Sequence, residues 1–450
     1  MPRWPDIDAA IKAAAEAPRW VLRGARLPAC VLGEAPLPSA GDGLVRGQIV
    51  IAEGRIEAVL PPSPSPLPGV DLQGAMVWPG LVDCHTHLDK GHIWRRSPNP
   101  DGTFWQALEA TAADRAAHWS QTDVVRRMDF AVSAAYAHGT VAIRTHLDTE
   151  PRRMAEIWEA FREVQAAWAG RIALQPACLI GTDDIEGEGF TPILAQLRRT
   201  EGAVLGAFVK AFPEDQAALP TRLRRFMEVA EAEGFALDFH VDETLDPASR
   251  GLDLVAEAAL ATGHQGPILC GHGCALSRYE PDRLARTTEK VAKAGIGVVS
   301  LPLCNAYLQD RAPGQTPRLR GPAPIHELRA AGVAVALGSD NTRDPFHAYG
   351  DLDLLELYRT ATLLQHLDHP VGDWPAAITT TPARLTGLEG GEIRPGAPAD
   401  LVITSARDWS ELIARQVTRL VLRGGQATGA VPPDFCDLDD LEGMADASDL

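Results

Sequence analysis

Between about residues 80 and 385 the chain alternates short, continuous apolar runs with longer amphipathic stretches. Eight runs stand out: LVDCH ending near residue 85, TVAIRTH near 146, IALQPA near 177, VLGAFVK near 210, ALDFH near 240, PILCGH near 272, GVVSLP near 302 and VAVALGSD near 340. Between them lie segments such as TDVVRRMDFAVSAAYAHG and RRMAEIWEAFREVQAAWAG, whose apolar residues recur at helical spacing. A strand that is apolar at successive positions is buried on both faces, as in a parallel sheet covered by helices. Eight such strand–helix units predict an α/β fold, a distorted TIM (β/α)8 barrel over 80–385.

The flanks have another character. Residues 20–79 carry VLRGARL and QIVIAEGRIEAVL, and 386–428 carry GEIRPGAPADLVITS and VTRLVLRGG. Both are short strands broken by turn residues, with no long helix. The simplest physical account joins the two ends in one small composite β-sandwich domain, with the barrel inserted between them. Residues 1–19 read as a short amphipathic helix. Residues 429–450 form an acidic tail with little apolar periodicity, expected to be loose.

Composition narrows the partners. Of 450 residues, 42 are Lys or Arg and 60 are Asp or Glu, a net charge of −18. Such a chain, with no basic stripe, is a poor match for nucleic acid or an anionic membrane surface. No run approaches the roughly 20 apolar residues of a membrane span. The N-terminus lacks an apolar signal core. Seven cysteines, scattered at 30, 84, 178, 270, 274, 304 and 436, suggest reduced thiols and a cytoplasmic location. Cys270 and Cys274 flank His272, but no second Cys pair lies at zinc-finger spacing.

The candidate chemistry sits where the runs end. The first ends in His85-Thr86-His87 and the second in Arg144-Thr145-His146; the third carries Gln175, the fourth Lys210, the fifth His240, the sixth His272 and the eighth Asp340. In a barrel these ends open onto one face, where active sites lie. Side chains at i and i+2 of a strand share a face, so His85 and His87 can converge on one ion. His240 and Asp340, arriving from other strands, complete an N/N/N/O set. An ion with an open position lowers the pKa of its water to about 7. Glu243, three residues past His240, can stand beside the ion and shuttle a proton. His272 can orient the water or serve as a further ligand.

The order H-x-H, H-x-x-E, H, D on eight βα units resembles the amidohydrolase superfamily. Within it, His87-Leu88-Asp89, Arg144-Thr145-His146-Leu147-Asp148, Leu174-Gln175 and His240-Val241-Asp242-Glu243 are most similar to the cytosine deaminase group. The resemblance implies a metal-dependent aminohydrolase that removes the exocyclic amine of cytosine or a related N-heterocycle. It implies one divalent ion, Zn2+ or Fe2+, on His85, His87, His240 and Asp340. His272 and Asp340 would activate water, Glu243 would protonate the ring, and Gln175 would pair with its lactam edge. Asn341 and Phe346 depart from the group's pattern, and with the aromatic residues Phe104 and Trp105 they suit a larger ring, such as a pterin or isoguanine. Lys210 keeps open a two-metal, dihydroorotase-like or hydantoinase-like alternative if it is carbamylated. Arg144 and His146 would support the ligands. A small-molecule heterocyclic substrate and a homo-oligomeric assembly are the expected partners. The small zinc deaminases that use P-C-x-x-C are excluded, since no such motif occurs.

Overall fold

The computed structural model describes residues 4–33, 37, 41–209 and 217–441. They group into two compact units, one drawn from Met1–Val82, Ala135–Ala142 and Leu354–Pro432, the other from Asp83–Ala134, Ile143–Asp353 and Pro433–Leu450.

Eight strands form one sheet in chain order: β1 (Leu81–Thr86), β2 (Thr140–Asp148), β3 (Ala173–Gly181), β4 (Leu205–Phe208), β5 (Leu237–Val241), β6 (Ile268–His272), β7 (Gly297–Ser300) and β8 (Val335–Leu337). Every residue of β1, β5, β6, β7 and β8 is buried, as a sheet covered on both faces requires. A parallel bridge between Thr86 and Asp340 joins the last strand region to the first. There the Asp340 amide donates to the His85 carbonyl at 2.8 Å, and the His87 amide to the Asp340 carbonyl at 3.3 Å. The expected (β/α)8 barrel is present, and its closing seam runs through three candidate site residues.

The other unit holds two four-stranded sheets. One has the order Arg55–Leu60, Leu44–Ala52, Arg19–Pro28, Gly69–Asp71; the other Gln426–Ala427, Arg419–Arg423, Leu401–Thr404, Val77–Pro79. The pairing of Val77–Pro79 with Leu401–Thr404 brings the two ends of the chain into one sheet. Trp20, Leu22, Leu27, Ile49, Ile51, Val77, Leu401 and Ile403 fill its core. The helix at the N-terminus spans Trp4–Ala14. The helix Leu354–Gln365 groups with this unit, although the sequence places it in the barrel segment. Its Tyr358 packs edge-on against Trp78 at 5.9 Å, and Arg359 reaches the Ile413 carbonyl.

The expectation of a loose tail fails for residues 433–441. Phe435 stacks on Phe130 at 5.9 Å, with the Arg343 guanidinium 4.2 Å from its ring. Arg95 pairs with Asp439 at 2.8 Å, and Arg126 with Asp440. Ion pairs and one aromatic anchor fasten this segment, none of which needs apolar periodicity. Among the described residues, no helix is long and apolar enough to cross a membrane.

Candidate active site

His85 and His87 leave the end of β1, His240 lies on β5, and Asp340 follows β8. His240 Nε2 is 3.1 Å from His87 Nε2. Asp340 Oδ1 is 3.4 Å from His87 Nε2 and 3.6 Å from His85 Nε2. Donors held tetrahedrally at about 2.0–2.1 Å from an ion lie about 3.3 Å from one another. The four side chains are buried, yet both oxygens of Asp340, both nitrogens of His85, and Nδ1 of His87 and His240 have no hydrogen-bond partner. Buried polar atoms normally find one. A divalent ion among the inward-facing atoms satisfies that demand, so the residues fit the ion the sequence implies. Burial holds His85, His87 and His240 well below their ordinary pKa, which keeps the imidazoles neutral, as coordination requires.

A second layer fixes these rings. Asp238, two residues before His240 on β5, accepts from Arg144 Nη1 at 2.9 Å and lies 3.1 Å from His146 Nε2. The His146 ring centroid is 4.2 Å from that of His85. Asp83 Oδ1 receives the amides of His85 and Ser339, each at 3.3 Å, tying the two sides of the seam. Burial lifts the Asp83 carboxyl to about 6. Gly271 leaves room for His85: a Cβ there would stand 2.6 Å from the ring's Cε1. Three strand-end residues, Asp242, His272 and Asp340, have φ of 54°, 75° and 63°. Such left-handed backbone in non-glycine residues is strained and collects at functional sites.

Glu243 Oε1 lies 3.5 Å from His272 Nδ1, and 16% of the Glu243 side chain is exposed. Its neighbour Asp242 is pinned: its carboxylate accepts from Ser249 Oγ and the amide of Gly251, both at 2.6 Å, and from the amide of Leu252 at 2.9 Å. Burial, then the Asp340 carboxylate, raises the Glu243 carboxyl well above its usual range. It can therefore carry a proton near neutrality. Burial drives His272 down to about 3, and Asn305 Nδ2 lies 3.1 Å from its Nδ1.

A model of the amidohydrolase family matches residues 183–428. The chain is 46% identical over 431 residues to the pterin deaminase of Rhizobium rhizogenes strain K84, an alignment covering 95% of this chain and 98% of that one. The chain belongs to the amidohydrolase family. Two solved structures share the fold of this amidohydrolase. The 5-methylcytosine deaminase from Klebsiella pneumoniae, liganded with 5-fluorocytosine, gives a TM-score of 0.77 at 23% identity, over 92% of this chain and 98% of that one. N-isopropylammelide isopropylaminohydrolase from Burkholderia multivorans gives 0.73 at 24%, over 91% and 98%.

Gln175 is the third residue of β3, which runs on to Gly181; its side chain is half-buried and its Oε1 accepts from Arg144 Nε at 2.8 Å. Asn341 stands beside Asp340, but its Nδ2 donates to Asp344 at 2.6 Å and its Oδ1 faces Cys304 Sγ at 3.6 Å. Phe346 and Phe104 meet edge-to-face at 5.8 Å and pack with Cys304, Leu308 and Tyr307. Lys210 lies outside the described residues. Sequence reasoning passed over Asp238 and Asn305. Asp238 carried a signal, because it shares the strand face of His240; Asn305, on the short helix Pro302–Leu308, carried none.

Proposed function

We propose that this amidohydrolase is a pterin deaminase: it hydrolyses the exocyclic amine of 2-amino-4-oxopteridine and releases ammonia. The observation that carries the reading is the approach of His240 and Asp340 to His87 and of Asp340 to His85, with Glu243 set against His272; the buried nitrogens of His85, His87, His146 and His240 form one close group, and His85, His272 and Asp340 another. His85, His87, His240 and Asp340 would hold one divalent ion, zinc or iron(II), and such an ion makes water acidic enough to supply hydroxide near neutrality.

The chain's own groups then move the protons. Asp340, with His272, takes one proton from the attacking water, whose oxygen adds to the ring carbon bearing the amine. Glu243 gives its proton to the adjacent ring nitrogen. The proton held at Asp340 passes to the amine, the carbon–nitrogen bond breaks and ammonia leaves. The remaining hydroxyl proton returns to Glu243, and the ring carbon keeps a carbonyl.

The choice of a bicyclic ring rests on the pterin deaminase relative and on the aromatic group Phe104, Phe346 and Tyr307 near Asn341. Flat apolar faces suit a fused heteroaromatic ring. All seven cysteines are free thiols, which supports a reducing compartment, the cytoplasm. The test is ammonia release from pterin by metal-loaded protein. One ammonia per pterin consumed is the expected result. Release from cytosine, isoguanine, creatinine or ammelide instead would overturn the choice of ring. Silence with all of them, metal content verified, would overturn the reading.

A further inference from the structure

The loop after β1 starts at His87, and the loop after β8 carries Asp340. Beyond those two residues the loops are bonded to each other. The His92 amide donates to the Thr342 carbonyl at 3.1 Å, and the Trp94 amide to the Arg343 carbonyl at 2.9 Å. At this junction His92 and Arg343 both take left-handed backbone, with φ of 60° and 50°. Residues with a side chain rarely adopt it, and it persists where the surroundings over-determine it.

Those surroundings include residues 433–441. Phe435 stacks on Phe130 at 5.9 Å, Phe130 meets the His92 ring at 4.7 Å, and the Arg343 guanidinium lies 4.2 Å from the Phe435 ring. One phenyl ring therefore backs both members of the strained pair, Arg343 directly and His92 through Phe130. The helix that carries Phe130, Gln121–His138, also holds the first loop, since Arg127 Nη1 donates to the Gly91 carbonyl at 3.0 Å. Polar contacts keep Phe435 in place. Arg126 Nη2 donates to the Asp437 carbonyl at 2.9 Å, Arg95 pairs with Asp439 at 2.8 Å, and Arg96 Nη1 donates to the Leu441 carbonyl at 3.2 Å. Arg95 and Arg96 belong to the loop after β1, so the segment grips that loop by charge and the loop after β8 by its ring.

We infer that Phe435 is a positioning residue for the deamination: it clamps the loops after β1 and β8 together and so holds His87 and Asp340 in register across the barrel seam. It acts through Arg343 and Phe130, not on the substrate. One ring stack and one cation–ring contact together favour the clamped loops by about tenfold. Ligand sets tolerate only about 0.5 Å of displacement, so that bias reaches the ion. The inference rests on the reading of His87 and Asp340 as ligands in a deaminase.

The test is made on the full chain. In Phe435→Ala, amide hydrogen exchange should quicken in peptides covering 88–97 and 340–349 and stay as in wild type across β3 to β6. Zinc affinity, read by competition with a coloured chelator, should fall about tenfold, and kcat for pterin should fall about 3- to 30-fold with KM within about threefold. Phe435→Tyr keeps the ring and should bring all three readouts back to within about twofold of wild type. Exchange that quickens evenly through the chain, or that stays as in wild type in both loops, would overturn the inference. So would a tyrosine variant as impaired as the alanine one. A wild-type chain that releases no ammonia from pterin overturns the deaminase reading alone, because exchange and zinc affinity still decide the clamp.

Discussion

Gly271→Ala adds one methyl group at the most crowded point of the site. The new Cβ would stand 2.6 Å from His85 Cε1 and 2.8 Å from its Nδ1. Unstrained heavy atoms need about 3.5 Å, so the ring must retreat by about 0.9 Å. It cannot rotate freely, since His85 is fully buried and a Cβ on Gly338 would already be 3.0 Å from its Cβ. Overpacking of this kind costs about 1–3 kcal/mol of stability. The larger effect is on coordination, because ligand sets tolerate only about 0.5 Å of displacement. We expect zinc affinity to fall at least about 100-fold, as judged by competition with a coloured chelator, and kcat/KM to fall with it. Gly189→Ala is the control: its φ is −63° and its new Cβ meets nothing within 4 Å. Zinc affinity within twofold of wild type in Gly271→Ala, with the fold intact, would refute the assignment of His85 to the ion.

Three further outcomes follow from the same geometry. Glu243→Gln keeps shape but removes the proton carrier, so kcat for pterin should fall about 10²- to 10⁴-fold with metal content and melting temperature unchanged; a loss below tenfold contradicts the shuttle. His92 is buried 4.7 Å from Phe130, and burial, aided by Arg343 and Arg127, pushes its pKa to about 3. The unfolded chain binds that proton near pH 6.5 and the folded chain only near 3, so stability should fall as pH drops through this window, by up to about 1.4 kcal/mol per unit. His92→Asn, which tolerates the left-handed backbone at φ 60°, should flatten the urea midpoint between pH 7 and 5; an unchanged slope counts against it. Arg96 is 7% exposed, bonded to both oxygens of Asp114 and to Asp123 Oδ1 at 2.6 Å, and Arg96→Ala should cost about 3–5 kcal/mol in denaturant unfolding, whereas a loss under 1 kcal/mol would contradict the buried network.

The barrel was legible because a parallel sheet buried on both faces leaves continuous apolar runs, and the turns after them collect the polar residues. His85, His87, His240 and Asp340 could be read for that reason: each marks the end of a run, and the H-x-H spacing shares one strand face. The run IALQPA, read to its end near 177, is only part of its strand, which spans Ala173–Gly181. The strand continues, pairing Ile180 with Ala207 and Gly181 with Phe208, so Gln175 lies six residues before its end and is half-buried. Asn305, whose Nδ2 lies 3.1 Å from His272 Nδ1, was not legible: it sits on a short helix whose path depends on tertiary contacts, and one-dimensional periodicity carries no record of it. The docking of residues 433–441 escaped for a related reason: four acidic residues look like a solvated run until Arg95 and Arg126 are found opposite them.

The central claim is that four side chains from three strand ends hold one ion. Metal analysis of the purified chain, set beside the His85, His87, His240 and Asp340 alanine variants, tests it most directly. The account predicts close to one zinc or iron per wild-type chain and a large loss in each variant. Two ions per wild-type chain, or variants that keep the full complement, would contradict it.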